Sequence, residues 1–171
     1  MASQLVLRPP RDNDGMAVHR LIEACPPLDV NSAYCNLLQC SHFSSTSVIA
    51  ELDGTVVGFI SGYRVPQQPR TLFIWQVAVS EEGRGQGLAG RMLAHILDRD
   101  GNSDIDYLET TITRDNDASW ALFEGLARKR GAEVRQSVMF DRELHFERSH
   151  DTEMLVRIGP LPRPALRAVA H

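Results

Sequence analysis

A glycine-rich segment is the part of the sequence whose residue types most clearly predict chemistry. Arg84-Gly85-Gln86-Gly87-Leu88-Ala89 follows the apolar stretch Val77-Ala78-Val79 and leads into residues with helical apolar spacing. Glycines at the start of a helix leave several backbone N–H groups directed at one point, and the helix dipole adds partial positive charge there. The segment therefore predicts an anion site, most naturally one for phosphate.

Two nucleotide-binding interpretations of these glycines fit poorly. Gly85-x-Gly87-x-x-Gly90 matches the dinucleotide fingerprint, but residues 80–84 separate it from the preceding strand. Thr113-Arg114 also stand where that fingerprint needs an acidic residue. A Gly-Lys-Ser/Thr motif for a nucleoside triphosphate is absent from the sequence.

Composition and charge exclude several classes of protein. The 171 residues suit one domain, and 43% apolar with 23% charged residues is typical of a globular protein. A net charge of −4 argues against a nucleic-acid partner. We expect neither a membrane span nor a signal peptide, because the apolar runs are short and the first residues lack a charged region followed by an apolar one.

The three cysteines indicate a reducing compartment and no metal site. Cys25, Cys35 and Cys40 are odd in number and lie in one short stretch, which fits a cytoplasmic protein with free thiols. The gaps between them are nine and four residues. Structural zinc sites use cysteine gaps of about two to four residues, so we predict no bound metal.

The elements that position the glycine segment predict a mixed α+β domain over residues 1–158. Their order along the chain is β-α-α-β-β-β-α-β-α-β-β, with a hairpin at Asp53-Gly54 and a loop bounded by Pro66 and Pro69. A strand–helix–strand crossover near the middle requires at least one parallel pair. We expect the Pro-rich tail, residues 159–171, to be peripheral.

These residues together resemble the GNAT family of N-acetyltransferases. Arg84–Ala89 is similar to the family's pyrophosphate-binding pattern, and Asn116 with the aromatic-bearing helix after it is similar to the next signature. The resemblance implies a mostly antiparallel sheet with flanking helices and a V-shaped split between two parallel strands. It implies that acetyl-CoA is held in this split by Val77, Ala78, Val79, Arg84, Gly85, Gly87, Leu88, Ala89 and Asn116.

A narrower resemblance, to the diaminobutyrate acetyltransferases of ectoine synthesis, rests on residues 26–43, 73–79 and 149–153. It implies transfer of acetyl to the 4-amino group of L-2,4-diaminobutyrate, a role in osmoprotection, and a homodimer. Two alternatives remain open at this point. One is an acetyltransferase for another small amine, such as a polyamine, and the other is a non-catalytic module that binds acetyl-CoA.

The implied substrate has one carboxylate and two ammonium groups, so it needs an acidic partner. Asp29 and Glu153 are the candidates, and Trp75 would either wall the amine site through a cation–π contact or fill the core. Asn31 and Ser32 would either bind the substrate or cap the helix that follows. Cys35 would form part of the pocket wall or the core, and the route through an acetyl-cysteine is the alternative.

The amine must lose a proton before it attacks the thioester. Deprotonation at pH 7 costs about 4–5 kcal/mol. Positioning supplies about 7–11 kcal/mol, so a weak base is enough. His150 is either this proton relay or a surface residue. The family often places a tyrosine as general acid on the helix after Asn116, but Phe123 stands there. This leaves Tyr34, or a thiolate that departs without assistance or through water.

Overall fold

The computed structural model describes residues 2–163 and contains the predicted order of elements. The described residues form four helices and seven strands, with short 3₁₀ turns between some of them. The helices are α1 (Gly15–Glu23), α2 (Ala33–Ser41), α3 (Leu88–Leu97) and α4 (Asp117–Arg130). The strands are β1 (Leu5–Arg8), β2 (Val48–Leu52), β3 (Thr55–Val65), β4 (Gln68–Val79), β5 (Tyr107–Thr113), β6 (Val134–Phe140) and β7 (Glu153–Ile158).

The seven strands form one mixed sheet in the order β1-β2-β3-β4-β5-β7-β6. Neighbouring strands are antiparallel except for β4 and β5, which the α3 crossover makes parallel. Asp53 and Gly54, both at positive φ, close the β2–β3 hairpin. The prediction of a mixed, mostly antiparallel α+β fold is confirmed.

Strand β4 carries a β-bulge at Trp75. Ser61 on β3 faces Gln76 and Gly62 faces Ile74, so Trp75 is the extra residue between two registered pairs. The bulge changes the alternation of the strand, because Ile74 and Val77 both pack against the same core cluster. The strand therefore turns away from its parallel neighbour just beyond this point.

The parallel pair separates where the bulge lies. Strands β4 and β5 are paired from Thr71 to Ile74 and from Tyr107 to Thr110, whereas β5 continues alone against β7 as far as Thr113. The split that the resemblance implied is present.

Two apolar clusters cover the two faces of the sheet. Helices α3 and α4 cover one face through buried side chains that include Met92, Leu93 and Phe123. Helix α1 covers the other face with Val18 and Ile22. Helices therefore pack against both faces of the sheet. The loop between α1 and α2 and the start of α4, which come from opposite faces, both reach the split.

Three helix ends show how local sequence sets the boundaries. Asn116 accepts a hydrogen bond from the Ser119 N–H at 3.2 Å, and Gly131 ends α4 at a φ of 62°. Ser32 accepts one from the Cys35 N–H at 3.1 Å and starts α2. Asp14 stands at the N-cap position of α1, but its side chain makes no capping hydrogen bond, because the carboxylate pairs with Arg8 at 2.7 Å.

Two segments differ from the sequence-based expectation. Strand β4 begins at Gln68, before Pro69, because a register shift against β3 leaves residues 69–71 without β3 partners. Leu161 is buried in the main core cluster, and its N–H donates to the Asp106 carbonyl at 2.7 Å, so the start of the tail is not peripheral. Residues 164–171 lie outside the described residues. Over residues 2–163, the helices are too short or too polar to cross a bilayer.

Candidate active site

A cavity of about 370 Å³ fills the split between β4 and β5. Its walls are residues 74–77 of β4, residues 110–113 of β5, the loop between α1 and α2, the start of α4, and the segment that enters β7. It brings together seven of the predicted site residues, which are Asp29, Asn31, Trp75, Val77, Asn116, His150 and Glu153.

Two carboxylates, Asp29 and Glu153, line this one cavity. Burial raises the pKa of Glu153, and the negative charge of Asp29 raises it further, while His150 and a hydrogen bond from Thr111 oppose the rise. The charge of one acidic group therefore affects the pKa of the other. Such a pair favours a ligand with more than one positive charge.

His150 presents a defined nitrogen to Glu153. The imidazole Nδ1 lies 2.6 Å from the main-chain carbonyl oxygen of Asp151, and Nε2 lies 3.8 Å from Glu153 Oε1. A carbonyl can only accept, so Nδ1 is the nitrogen that donates and Nε2 is left free to accept. Nε2 is also the nitrogen that faces Glu153 at the cavity.

Trp75 forms a wall of the cavity and is not a core residue, since 45% of its surface is exposed. Its ring makes an edge-on contact with Tyr63, with the centroids 6.2 Å apart. Tyr63 in turn contacts Phe73 and Phe43. The aromatic face at the bulge is therefore supported from behind and available to a cation.

The glycine segment has the geometry of an anion site. Gly85 and Gly87 have φ angles of 80° and 63°, and a Cβ at either position would meet no atom within 4 Å. Helix α3 begins after Gly87 without a side-chain cap, so its first N–H groups are available to a ligand. The residues fit a diphosphate group.

The other predicted cofactor residues divide between ligand-facing and core positions. Val77 lines the cavity, whereas Ala78 is fully buried against the α1 cluster and offers only its main chain. The Val79 carbonyl accepts a hydrogen bond from Arg84 Nε at 3.3 Å, which holds that arginine beside the strand end. Asn116 caps α4 through Oδ1 and keeps its amide Nδ2 for a ligand.

Three of the residues predicted for catalysis or substrate binding are not brought into the cavity lining. The Ser32 hydroxyl is taken by the helix cap, which leaves Asn31 as the polar side chain at the cavity. Tyr34 is 70% exposed on α2. Cys35 is partly buried, and burial raises the pKa of its thiol, which disfavours a thiolate nucleophile.

Sequence reasoning missed Gln76, Thr111 and two arginines. Gln76 and Thr111 line the cavity. Arg142 and Arg148 line an adjoining cavity of about 740 Å³ that shares Asn116 and His150 with the first. The arginines lie in a charged loop, a signal that could have identified them, whereas a single polar residue within an apolar strand gives none.

The arrangement can hold a cationic amine in the cavity, next to the reactive end of a ligand whose phosphate groups are bound at the glycine segment. The acidic pair and the aromatic wall supply the amine site, and the open strand edge of β4 separates it from the anion site. Within residues 2–163, no three His, Cys, Asp or Glu side chains gather as a metal site would require.

This fold and site define an acetyltransferase. The profile of the acetyltransferase (GNAT) family matches residues 16–127, and the chain belongs to that family. The protein is an acyltransferase. Solved structures of low sequence identity share the fold, such as yncA, a putative acetyltransferase from Salmonella typhimurium with its cofactor acetyl-CoA (16% identity, TM-score 0.71, covering 98% of this chain and 99% of that chain).

More similar proteins have a more specific name. The L-2,4-diaminobutyric acid acetyltransferase of Methylotuvimicrobium alcaliphilum is 60% identical over 91% of both chains. That of Vibrio cholerae is 54% identical over 90% of this chain and 88% of its own. The diaminobutyrate acetyltransferase EctA from Paenibacillus lautus, solved with L-2,4-diaminobutyric acid and coenzyme A, is 37% identical with a TM-score of 0.89, covering 95% of this chain and 99% of that one.

Proposed function

We propose that this enzyme transfers acetyl from acetyl-CoA to the 4-amino group of L-2,4-diaminobutyrate, the reaction of ectoine synthesis. The observation that carries the proposal is the pair of carboxylates, Asp29 and Glu153, in one cavity beside the open edge of β4. The substrate has two ammonium groups, and a single carboxylate would match only one of them. The relatives at 60% and 54% identity support the same substrate.

The substrate is oriented by its three charged groups. We assign the 2-ammonium group to Asp29 and Asn31, so that the 4-amino group lies near Glu153 and His150 against the Trp75 ring. The α-carboxylate lies toward the adjoining cavity, where Arg142 and Arg148 supply guanidinium groups suited to it. Anchoring one end of the molecule selects which nitrogen reaches the thioester.

The glycine segment holds the diphosphate of acetyl-CoA, which supplies the reactive thioester when bound. The N–H groups of residues 85–89 contact the diphosphate, and Arg84 adds a positive charge next to it. Val77 and Val79 lie along the pantetheine arm, and Asn116 Nδ2 donates to the same arm. Because β4 and β5 part after Ile74, the main chain of β4 is open there to polarise the thioester carbonyl.

Proton transfer is assigned to Glu153 and His150. Nε2 of His150 accepts the proton that the 4-ammonium group releases, and the Glu153 carboxylate stabilises the resulting imidazolium. Phe123, at the position of the family's tyrosine, has no ionisable group that could donate a proton. Tyr34 is exposed and lies outside the cavity lining. We therefore assign protonation of the departing thiolate to solvent.

The wider setting is also proposed. Residues 1–158, together with the core residue Leu161, act as one catalytic domain. The protein works in osmoprotection in the cytoplasm, where its three free cysteines stay reduced. It forms a homodimer without nucleic-acid or membrane partners. Exposed apolar side chains on the edge strand β6, which are Val138, Met139 and Phe140, support self-association. Sedimentation analysis that finds only monomer would contradict the dimer.

A panel of amines tests the proposed reaction. Release of free coenzyme A is measured with diaminobutyrate, ornithine, lysine, a polyamine and a monoamine, and the product is assigned by NMR. We expect the highest kcat/KM with diaminobutyrate and acetylation at its 4-nitrogen. A higher kcat/KM with the monoamine or polyamine would overturn the substrate, and binding of acetyl-CoA without turnover of any amine would overturn the reaction.

A further inference from the structure

The loop between α1 and α2, residues 24–32, carries the acidic side chain of Asp29. Its middle residues, 29–31, make few hydrogen bonds. We call it the Asp29 loop. Asp29 and Val30 are exposed, and Val30 is 54% accessible. Across the described chain, the one hydrogen bond made by residues 29–31 is accepted by the Asp29 carbonyl. Packing of Leu28 against the α1 cluster and the Ser32 cap hold the two ends of the loop, and the Asp29 carbonyl bond is the one hydrogen bond that holds its middle.

The donor of this bond is Gln76 on β4. Its Nε2 lies 2.9 Å from the Asp29 carbonyl oxygen, which joins positions 47 residues apart in the chain. Gln76 is 9% exposed and lies directly between Trp75 of the bulge and Val77 at the open strand edge. One side chain thus links the Asp29 loop to the segment of β4 that borders the split.

The burial of Gln76 is costly, which argues against a purely structural role. Its Oε1 is buried and has no hydrogen-bond partner among residues 2–163. A buried amide with one half unsatisfied destabilises a fold compared with an apolar side chain of the same size. An apolar residue would suit this strand better if packing were all that the position required.

We propose that Gln76 is a positioning residue for acetyl transfer, an inference that rests on the proposed function. By holding the Asp29 carbonyl, it sets the distance between the carboxylate that anchors the 2-ammonium group and the edge of β4 where the thioester lies. That distance decides which nitrogen of the diamine reaches the acetyl group. Gln76 itself contacts neither reacting atom.

The test replaces Gln76 with Met, which keeps the volume and removes the donor. We expect the KM for diaminobutyrate to rise about fivefold to tenfold. The KM for acetyl-CoA stays unchanged, and the share of product acetylated at the 2-nitrogen increases. Hydrogen–deuterium exchange at residues 28–33 becomes faster without substrate, and thermal stability is equal to or above that of the wild type.

The matched control is Ser61→Ala on β3. Ser61 is the cross-strand partner of Gln76 and is also buried. Its hydroxyl likewise has no partner among the described residues, but Ser61 does not line the cavity. We expect Ser61→Ala to change neither the KM for diaminobutyrate nor exchange in the Asp29 loop. Gln76→Glu, which keeps the shape and loses the donor, repeats the measurement if the Met variant fails to fold.

Unchanged exchange in the Asp29 loop, together with an unchanged KM for diaminobutyrate in both variants, would overturn the role of Gln76. A proportional loss with both substrates and a lowered stability would show a structural role and also overturn it. Failure of the proposed function is a separate result, because it appears in the wild-type enzyme as an absence of diaminobutyrate acetylation.

Discussion

The Nε2 atom of His150 lies 3.8 Å from a carboxylate oxygen of Glu153, and the main-chain carbonyl of Asp151 determines that Nε2 is the nitrogen facing it. A partly buried carboxylate beside an imidazole of defined tautomer suits proton exchange with a nearby amine, which is the role proposed for this pair.

Glu153 determines an acidic limb in the pH dependence of catalysis. Burial raises the pKa of this carboxyl, and only its ionised form serves the reaction, so kcat/KM falls as the pH drops through that raised pKa. We expect Glu153→Gln to lower kcat/KM by about 10²–10⁴-fold and to remove this limb. Steady-state rates across pH check both effects, and Glu124→Gln on the exposed side of α4 serves as the control.

The same substitution has the opposite consequence for stability. A folded-state pKa above the unfolded value means that the protonated form stabilises the fold, and that this contribution is lost as the pH rises through the folded pKa. Glu153→Gln should therefore unfold at the same or a higher temperature than the wild type at neutral pH, with the difference vanishing below the unfolded pKa. A clear loss of stability at neutral pH would contradict the raised pKa.

Asp29→Ala separates binding of the amine from binding of the cofactor. A hydrogen bond to a charged group contributes about 1.5–3 kcal/mol, so the KM for diaminobutyrate should rise about tenfold to a hundredfold. The KM for acetyl-CoA should change little, because Asp29 lines the cavity whereas the glycine segment does not. Equal increases in the two constants, measured by coenzyme A release, would show that Asp29 does not hold the amine.

Gly87→Ala tests the anion site. A methyl group at this positive φ enters open space in front of the α3 N-terminus, where the diphosphate is proposed to lie. We expect the Kd for coenzyme A, measured by calorimetry, to increase at least about tenfold, and stability to fall by about 1–2 kcal/mol from the left-handed backbone. Gly54→Ala is the control, since it has a φ of 82° and the same open surroundings in a distant hairpin. It should lose stability without losing affinity, and similar Kd values for both variants would refute the site.

Ser32→Ala and Asn31→Ala should have reciprocal effects. Ser32 caps α2, so its loss should cost about 0.5–2 kcal/mol in the free energy of unfolding, with little change in the KM for diaminobutyrate. Asn31 lines the cavity and caps nothing, so its loss should raise this KM and leave stability almost unchanged. Chemical denaturation and steady-state kinetics on the two variants check the assignment, and the reverse pattern would exchange the two roles.

Local signals were sufficient for the elements of the fold. The hairpin at Asp53-Gly54, the cap at Asn116 and the glycine segment each depend on backbone conformations that a few neighbouring residues prefer. The crossover through α3 then required a parallel pair, because chirality and chain length allow few other connections. Asp14 marks the limit of such signals, since it stands at the start of α1 but its carboxylate pairs with Arg8 of β1 and does not cap the helix.

The amino-acid sequence by itself determined the order of the elements, the backbone geometry of the glycine segment and the types of side chain available to the cavity. Only the tertiary structure decided which of them meet. Asp29 and Glu153 share a cavity because the bulge at Trp75 opens the sheet between them, and Tyr34 stays outside it although it is close to Asp29 in the chain. Strand register, bulges and long-range hydrogen bonds such as that from Gln76 depend on pairing between segments that are distant in the chain. Such pairing produces no periodic pattern in the sequence of either segment.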